Sequence, residues 1–205
     1  MLTIHYKNMT FVVEPEVYEP AEDTFLLADN LDVHDDEYVL ELGTGCGLLA
    51  ILAAKAGGKV VATDVNPAAL RCAKNNARSH GINEQIKFRY GNLFEPVDSE
   101  RFDLIIFNPP YLPVPRDEEL STMLDRAWEG GPDGRSIIDQ FLNELSRHLK
   151  PQGRVLLVQS SLSNVKKTIH RLEKNGFIVE TLSKKLPFEE LFLVRARRLL
   201  DHRKH

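Results

Sequence analysis

Apolar runs of strand length alternate with stretches of helical periodicity along most of the chain, from Tyr38 onwards. Runs rich in β-branched and other apolar residues, bounded by glycine, proline or asparagine, are typical of buried strands. On that pattern, strands are predicted at residues 38–42, 59–65, 85–90, 102–107, 154–159, 177–182 and 191–197. Helices are predicted between them at residues 48–56, 67–81, 136–150 and 164–175.

Repeated strand–helix–strand units predict an α/β fold with a mostly parallel sheet and helices on both faces. Seven strands, with the last two joined by a short loop, predict one antiparallel strand at the end. Residues 1–32 are expected to form a short N-terminal cap on an α/β core of residues 33–200, within a single domain of residues 1–205. Residues 112–135 are predicted to form a long loop, a feature that is often functional in compact domains.

A glycine-rich segment, Glu-Leu-Gly-Thr-Gly-Cys-Gly at residues 41–47, lies between the first of these strands and the first helix. In such a turn one glycine permits the tight bend, and another lets a ligand approach the backbone. Asp64 ends the next strand, where doubly wound nucleotide-binding folds place the acceptor for a ribose hydroxyl. The pattern indicates an adenosine-containing ligand, and a tight turn without any ligand is the alternative.

The spacing within this turn favours a ligand that carries no phosphate. Only Cys46 separates Gly45 from Gly47, whereas dinucleotide sites place two residues before their third glycine. The Glu41 carboxylate would repel a diphosphate but would attract an ammonium or hydroxyl group. S-adenosyl-L-methionine carries a sulfonium and an ammonium and no phosphate, so it fits this turn better than a nicotinamide dinucleotide.

The segment Asn108-Pro109-Pro110-Tyr111 ends the fourth strand, at the edge where open α/β sheets place ligand chemistry. Two prolines stiffen the backbone and remove two N–H donors. The Asn108 side-chain oxygen and the Pro109 carbonyl can then accept both protons of an NH₂ group, and Tyr111 offers a flat face to a planar substrate. The segment therefore predicts methyl transfer to a planar nitrogen. The alternative is an ordinary turn that ends the strand, because Pro-Pro is common in such turns.

Composition narrows the class of protein. The 205 residues are 42% hydrophobic and 27% charged, with a formal net charge of −4, which argues against a domain that grips nucleic acid unaided. No signal peptide and no membrane span are expected. Two cysteines and seven histidines without metal-ligand spacing predict no disulfide framework and no metal site, so a reducing cytoplasm is the expected location.

Segments 41–47 and 108–111 together resemble the HemK/PrmC class of protein-glutamine N5-methyltransferases. Residues 18–27, Tyr-Glu-Pro-Ala-Glu-Asp-Thr-Phe-Leu-Leu, narrow the resemblance to the shorter archaeal and eukaryotic branch, which lacks a separate N-terminal helical domain. Residues 128–134, Trp-Glu-Gly-Gly-Pro-Asp-Gly, are similar to the segment that follows the catalytic loop in that branch. The resemblance spans nearly the whole chain, from about residue 17 to residue 197.

The resemblance implies a Rossmann-like, seven-stranded class I fold that uses S-adenosyl-L-methionine. It implies methylation of the glutamine side chain in the Gly-Gly-Gln loop of a class I peptide chain release factor. A small zinc-binding activator subunit is an implied partner. By matching positions, catalysis and substrate binding fall to Asn108, Pro109, Pro110 and Tyr111. The expected cofactor-binding residues are Thr24, Glu41, Gly43, Gly45, Gly47, Asp64, Asn92, Leu93 and Asn108.

Asn92 departs from the family pattern, which has Asp at this position. Since Asn keeps one acceptor for the adenine amino group but loses the charge, we expect weaker cofactor binding rather than a different ligand. Two other features stay open. Trp128 could line the substrate mouth or pin the long loop, and the basic C-terminal stretch could touch RNA or an acidic partner or simply be solvated.

Four hypotheses follow. The leading one is a protein-glutamine methyltransferase. The second is an adenine-N6 or guanine-N2 methyltransferase acting on nucleic acid, because the same Asn-Pro-Pro-Tyr segment can hold an aromatic amine. Some members of the branch have been linked to lysine or adenine methylation. The third is a non-catalytic cofactor-binding module, and the fourth is a dehydrogenase.

Overall fold

The computed structural model describes residues 1–114 and 127–199. Its strands are β1 (Leu2–Tyr6), β2 (Met9–Val13), β3 (Tyr38–Leu42), β4 (Lys59–Asp64), β5 (Ile86–Tyr90), β6 (Phe102–Phe107), β7 (Leu149–Ser160), β8 (Phe177–Lys185) and β9 (Glu190–Arg198). Its helices are α1 (Glu22–Asp29), α2 (Leu48–Lys55), α3 (Pro67–Ser79), α4 (Ser136–His148) and α5 (Val165–Lys174). Each of the seven strands predicted from the apolar runs occurs and overlaps its predicted bounds.

Strands β3 to β9 form one sheet in the order β5-β4-β3-β6-β7-β9-β8. Only β9 runs antiparallel to its neighbours within this sheet, and β8 forms the edge beyond it. The predicted α/β sheet with one antiparallel strand is therefore confirmed. The central strands are apolar along their length because both faces are covered, as shown by Leu40 and its register partner Ile105, neither of which has exposed surface.

The order of the strands reverses between β3 and β6. The chain runs outward from β3 through β4 to β5, and then returns to place β6 on the other side of β3. In open α/β sheets such a switch point leaves a crevice at the carboxyl ends of the strands, where ligands bind. The turn after β3 and the segment after β6 meet at this crevice, because both leave the sheet at the same edge.

The N-terminal cap contains more regular structure than the sequence analysis predicted. Strands β1 and β2 form an antiparallel hairpin through a two-residue turn, with Lys7 at a φ of 52°. The hairpin packs on α3, where the Asn76 amide accepts from Val12 N at 2.9 Å and donates to Val12 O at 2.8 Å. The same amide donates to Cys46 O at 2.8 Å, so it connects the cap to the glycine-rich turn.

Several predicted boundaries differ by a few residues from the observed ones, such as the end of α3, which is Ser79 rather than Gly81. Helix α4 ends at His148, two residues before the predicted end, because Leu149 is fully buried and already pairs with Phe102 as the first residue of β7. Two backbone hydrogen bonds join the beginning of the predicted long loop to its later part. Leu112 N donates to Trp128 O at 3.0 Å, and Gly130 N donates to Leu112 O at 2.8 Å.

Residues 115–126 and 200–205 lie outside the described residues, and the latter include the end of the basic C-terminal stretch. Across residues 1–114 and 127–199, no helix combines the length and the apolar character needed to cross a membrane.

Candidate active site

A cavity of about 620 Å³ opens at the carboxyl edge of the sheet, over the switch point between β3 and β6. It brings together residues from the glycine-rich turn, the ends of β4, β5 and β6, and the start of α1. The predicted site residues that line it are Thr24, Glu41, Gly43, Gly45, Asp64, Asn92, Leu93, Asn108, Pro109, Pro110 and Tyr111. Gly47 is the one predicted site residue outside this lining.

The glycine-rich turn holds its shape through Asp64, at the end of β4. One carboxylate oxygen of Asp64 accepts from Gly45 N at 3.0 Å, and the other accepts from Asn66 N at 2.8 Å. Gly43 and Gly45 have φ values of 67° and 55°, in the left-handed region that favours glycine. A Cβ on Gly45 would meet no protein atom within 4 Å, so this face of the turn is open to a ligand.

Gly47 has a packing role that the sequence motif did not reveal. It adopts a φ of 86° as the N-cap residue of α2, and a Cβ there would lie 2.9 Å from the Cβ and 3.0 Å from the Cα of Ala73. Such distances are shorter than real carbon–carbon contacts, so glycine is required for the close approach of the turn to α3. The sequence motif could not distinguish this contact from a ligand contact.

Glu41 is a buried carboxyl group at the floor of the cavity. Only 2% of its surface is exposed, and its Oε2 accepts from the Thr44 hydroxyl at 2.5 Å. Burial raises the pKa of Glu41 to about 8, and the nearby Asp64 adds to the effect. Burial also raises the pKa of Asp64. Two carboxyl groups in a poorly solvated cavity would both be stabilised in their charged form by a cation.

The two predicted adenine-binding residues follow β5 at the outer part of the cavity. Asn92 is exposed, and Leu93 is partly buried with a φ of 43°. Beside them lie two apolar residues that the sequence analysis missed, Val65 and Tyr90, which are 42% and 67% exposed. Their position immediately after β4 and at the end of β5 was the available signal, because apolar residues exposed at a cavity rim can cover a flat ring.

The Asn108 side chain extends from the end of β6 toward α1. Its Nδ2 donates to the Thr24 hydroxyl at 3.2 Å. Its Oδ1 is buried and has no hydrogen-bond partner among the residues that the structure describes. A buried amide oxygen without a partner is costly, so this atom is available to accept from a bound group.

Tyr111 forms a wall of the cavity and is held by its hydroxyl group. Only 8% of the residue is exposed, and its hydroxyl donates to Asp23 Oδ2 at 3.0 Å. Burial, followed by the negative charge of Asp23, raises the pKa of Tyr111, so the phenol stays protonated and keeps donating. The ring is therefore fixed relative to Asn108 before any substrate binds.

Asp23 and Tyr18 also line the cavity, although the sequence analysis gave neither a role. Asp23 is 3% exposed, and the Tyr18 hydroxyl donates to its Oδ2 at 3.0 Å. Both residues belong to the segment 18–27 that carried the resemblance, but only Thr24 within it was assigned a contact. A buried acidic residue beside a motif threonine was the available signal.

The segment after the long loop, which includes Gly134 and Arg135, packs against the Asn-Pro-Pro-Tyr segment. A Cβ on Gly134 would overlap the carbonyl oxygen of Tyr111, so glycine permits their contact. Arg135 is 1% exposed and donates to Ser163 O at 2.6 Å and Asn164 O at 2.9 Å, which fixes this segment to the residues before α5. Trp128 lines the cavity, and its backbone carbonyl accepts from Leu112 N where the loop begins and ends.

Comparisons with known proteins agree with this geometry. The family model of the methyltransferase small domain matches residues 8–125. A Methanocaldococcus jannaschii protein named "Putative protein N5-glutamine methyltransferase MJ0928" is 46% identical over 200 residues, which are 97% of this chain and 100% of that protein. This chain belongs to the protein-glutamine N5-methyltransferase family.

Other members of the family are more distant. The human methyltransferase HEMK2 is 36% identical over 171 residues, which cover 78% of this chain and 79% of that protein. The release factor glutamine methyltransferase of Gloeobacter violaceus is 32% identical over 172 residues, which cover 76% of this chain and 58% of that protein. The protein is therefore a methyltransferase, and the resemblance found from its motifs is confirmed.

Solved structures confirm the class I methyltransferase fold. A chain of the E. cuniculi Mtq2–Trm112 complex, which methylates the eRF1 translation termination factor, matches with a TM-score of 0.66 and 25% identity over 89% of this chain and 99% of that chain. A Pyrococcus furiosus methyltransferase matches with a TM-score of 0.72 and 22% identity over 94% of this chain and 91% of that chain, which shows the fold alone.

Proposed function

We propose that this protein transfers a methyl group from S-adenosyl-L-methionine to the side-chain amide nitrogen of a glutamine, in the Gly-Gly-Gln loop of a class I peptide chain release factor. Membership of the protein-glutamine methyltransferase family supports the reaction. The release factor is supported by relatives named as release factor glutamine methyltransferases and by the eRF1-methylating complex of similar fold.

One atom carries the proposal, the buried Oδ1 of Asn108. It lacks a hydrogen-bond partner among the described residues, and its own Nδ2 is already held by Thr24. The amide is thus oriented so that its acceptor is free, which suits a substrate that donates an N–H group. A glutamine amide has two such protons, and the Pro109 carbonyl is the second proposed acceptor.

The residues of the cavity fit S-adenosyl-L-methionine better than a phosphate-containing cofactor. Glu41 and Asp64 are buried carboxyl groups, and no Lys or Arg occurs among the described residues that line the cavity. A pyrophosphate would oppose the ionisation of both carboxyl groups, whereas a cation would stabilise their charged form. When bound, S-adenosyl-L-methionine supplies a methyl group attached to a positively charged sulfur.

Each part of the cofactor has proposed partners in this chain. Glu41 would accept from the ammonium group, Asp64 from the ribose hydroxyls, and Asn92 and Leu93 would hold the adenine. Gly43 and Gly45 would allow the ligand to approach the turn, since a Cβ on Gly45 would point into open space. Thr24 and Asn108 would lie between the cofactor and the substrate.

Positioning accounts for most of the proposed catalysis. An amide nitrogen is a poor nucleophile because its lone pair is delocalised into the carbonyl group. Two fixed acceptors, at Asn108 and Pro109, would hold the nitrogen in line with the methyl group and stabilise the positive charge that develops on its N–H bonds. The fixed ring of Tyr111 would limit rotation of the substrate amide. Once methylated, the amide nitrogen is acidic enough to release its surplus proton to water, so no strong general base is required by this arrangement.

The remaining proposals concern the setting of the reaction. We propose that the chain acts as one domain, with its N-terminal hairpin and α1 as a cap on the α/β core. A small activator subunit, of the kind represented by Trm112 in the similar complex, is a proposed partner. The proposed location is the cytoplasm, where the enzyme would encounter a release factor.

Intact-mass measurement of candidate substrates tests the proposal. Purified enzyme, with and without a candidate activator subunit, is incubated with S-adenosyl-L-methionine and a cognate release factor. We expect the release factor to gain the mass of one methyl group, and a release factor whose loop glutamine is replaced by glutamate to gain none. Asn108→Ala should abolish the gain, because its acceptor is removed.

Two other outcomes would contradict the proposal. Methylation of DNA or RNA oligonucleotides, with the release factor unmodified, would favour an amino methyltransferase of nucleic acid. Full cellular function of the Asn108→Ala variant would favour a non-catalytic binding module.

A further inference from the structure

The buried carboxylate of Asp23 connects the N-terminal helix to the catalytic loop. Its Oδ2 accepts from the hydroxyl groups of Tyr18 and Tyr111, each at 3.0 Å. Its Oδ1 accepts from the backbone N of Thr24 at 2.6 Å and from the Thr24 hydroxyl at 3.2 Å. An ionised carboxylate offers about four acceptor positions, so these four donors satisfy it. With 3% exposure, Asp23 has little contact with water.

This arrangement determines the direction of the Thr24 hydroxyl proton. An ionised carboxylate can only accept, so the single hydroxyl proton of Thr24 points to Asp23. The oxygen of Thr24 keeps lone pairs, and Asn108 Nδ2 donates to one of them at 3.2 Å. If the Asn108 amide turned over, its oxygen would face an oxygen that has no proton to offer. The amide therefore keeps its oxygen toward the cavity.

We propose that Asp23 is a positioning residue for methyl transfer, which orients the Asn108 amide through the Thr24 hydroxyl and anchors the Tyr111 ring beside it. The inference rests on the proposed function, because an acceptor directed at the substrate is useful only if the substrate donates an N–H group. Asp23 thereby selects for a substrate nitrogen that still carries protons, although it does not touch that nitrogen.

Asp23→Asn is the critical variant, because it preserves size while adding a donor. Because Thr24 N can only donate, the Asn oxygen stays on Thr24 and the new NH₂ group faces the hydroxyls of Tyr18 and Tyr111. The Tyr111 hydroxyl then loses its acceptor, and the neutral amide oxygen holds the Thr24 hydroxyl proton less strongly than a carboxylate does. Both the Tyr111 ring and the Asn108 amide beside it are therefore fixed less strongly. Since misplacement of a catalytic group can lower a rate by about 100-fold, we expect kcat to fall by roughly 10- to 100-fold. KM for the cofactor should stay close to that of the wild type.

Helix α1 offers a matched control in Asp29. The Tyr6 hydroxyl donates to Asp29 Oδ1 at 2.8 Å, so this residue is also an aspartate that accepts from a tyrosine. Asp29 does not line the cavity. Asp29→Asn should therefore leave kcat and KM unchanged.

Thr24 stands between Asp23 and Asn108 in the proposed chain of hydrogen bonds. Thr24→Val should therefore reproduce the loss of kcat expected for Asp23→Asn, and Thr24→Ser should recover part of it.

The ¹H–¹⁵N signals of the Asn108 side-chain amide give a readout that needs no substrate, and their absence in Asn108→Asp assigns them. We expect them to shift in Asp23→Asn and Thr24→Val and to stay in place in Asp29→Asn, with all variants folded by circular dichroism. Unchanged Asn108 signals in Asp23→Asn would overturn the inference, as would an unchanged kcat in that variant. If the signals shift while the wild-type protein leaves a glutamine substrate unmodified, the positioning role is supported and the proposed substrate is wrong.

Discussion

At the scale of single residues, Glu41 shows how burial prepares the cavity for a cation. The carboxyl group is 2% exposed, and burial raises its pKa to about 8, against an ordinary value of 4.5. The Thr44 hydroxyl donates to it and lowers the pKa in part. Near neutral pH the Glu41 carboxyl group therefore holds a proton, which a bound ammonium group would displace.

This environment predicts a pH dependence of stability. Because the pKa of Glu41 is higher in the folded state, the folded protein keeps a proton that the unfolded chain releases above about pH 4.5. Stability is present below that pH and is lost as pH rises toward 8. Between pH 5 and pH 8 the free energy of unfolding of the wild type should fall relative to that of Glu41→Gln, by an amount on the order of 3 kcal/mol. Urea denaturation at both pH values measures this difference, and parallel changes in the two proteins would contradict it.

The role of a residue could be predicted from the sequence where adjacent residues determine that role. The prolines after Asn108 remove donors and leave acceptors, so an acceptor role could be inferred from the segment alone. The partners of Asp23 could not be inferred, because Tyr111 lies 88 residues further along the chain and meets Asp23 only in the folded structure. The packing role of Gly47 could not be inferred for the same reason, since its neighbour Ala73 lies on another helix.

At the scale of elements, the glycine-rich turn combines a ligand contact and a packing contact in one short segment. Gly45 lines the cavity, and a Cβ there would have open space. Gly47 faces α3, where a Cβ would press on Ala73. The two glycines should therefore respond differently to the same substitution.

Gly47→Ala should lower the free energy of unfolding by roughly 2–4 kcal/mol, because a left-handed φ and a close contact both oppose the new Cβ. Gly45→Ala shares the left-handed φ but not the contact, so its loss should be about 1 kcal/mol. Calorimetric titration with S-adenosyl-L-methionine should instead show weaker binding for Gly45→Ala than for the wild type. A greater loss of stability in Gly45→Ala than in Gly47→Ala would show that the two roles are assigned the wrong way round.

Elements were predictable where burial on both faces produces continuous apolar runs, as in β6. The hairpin of β1 and β2 was missed because its turn contains Lys7 and Asn8 rather than a glycine-containing pair. The start of β7 was placed too late because Lys150, Pro151 and Gln152 interrupt the apolar pattern, although Leu149 before them already pairs in the sheet.

At the scale of the whole molecule, strand order determines where the chemistry lies. The reversal between β3 and β6 brings the glycine-rich turn next to the Asn-Pro-Pro-Tyr segment. Alternation of strands and helices predicted a parallel sheet with one antiparallel strand, but it did not predict that β9 inserts between β7 and β8. That arrangement depends on pairing between distant strands, which local patterns do not encode.

Charge at this scale favours a protein substrate over nucleic acid. The formal net charge is −4, and the described residues that line the cavity include several carboxylates and no Lys or Arg. Among the described residues of this lining, no basic side chain could contact the phosphate backbone of a nucleic acid. A basic protein loop that presents a glutamine would meet no such repulsion.

The chemical identity of the methylated nitrogen is the most direct test of the account. Enzyme is incubated with ¹³C-methyl S-adenosyl-L-methionine and the release factor, and the transferred methyl group is observed by ¹H–¹³C nuclear magnetic resonance. The account predicts one methyl signal that is coupled to an amide proton and belongs to a glutamine side chain. A methyl signal on a lysine amine or on a nucleobase would contradict it.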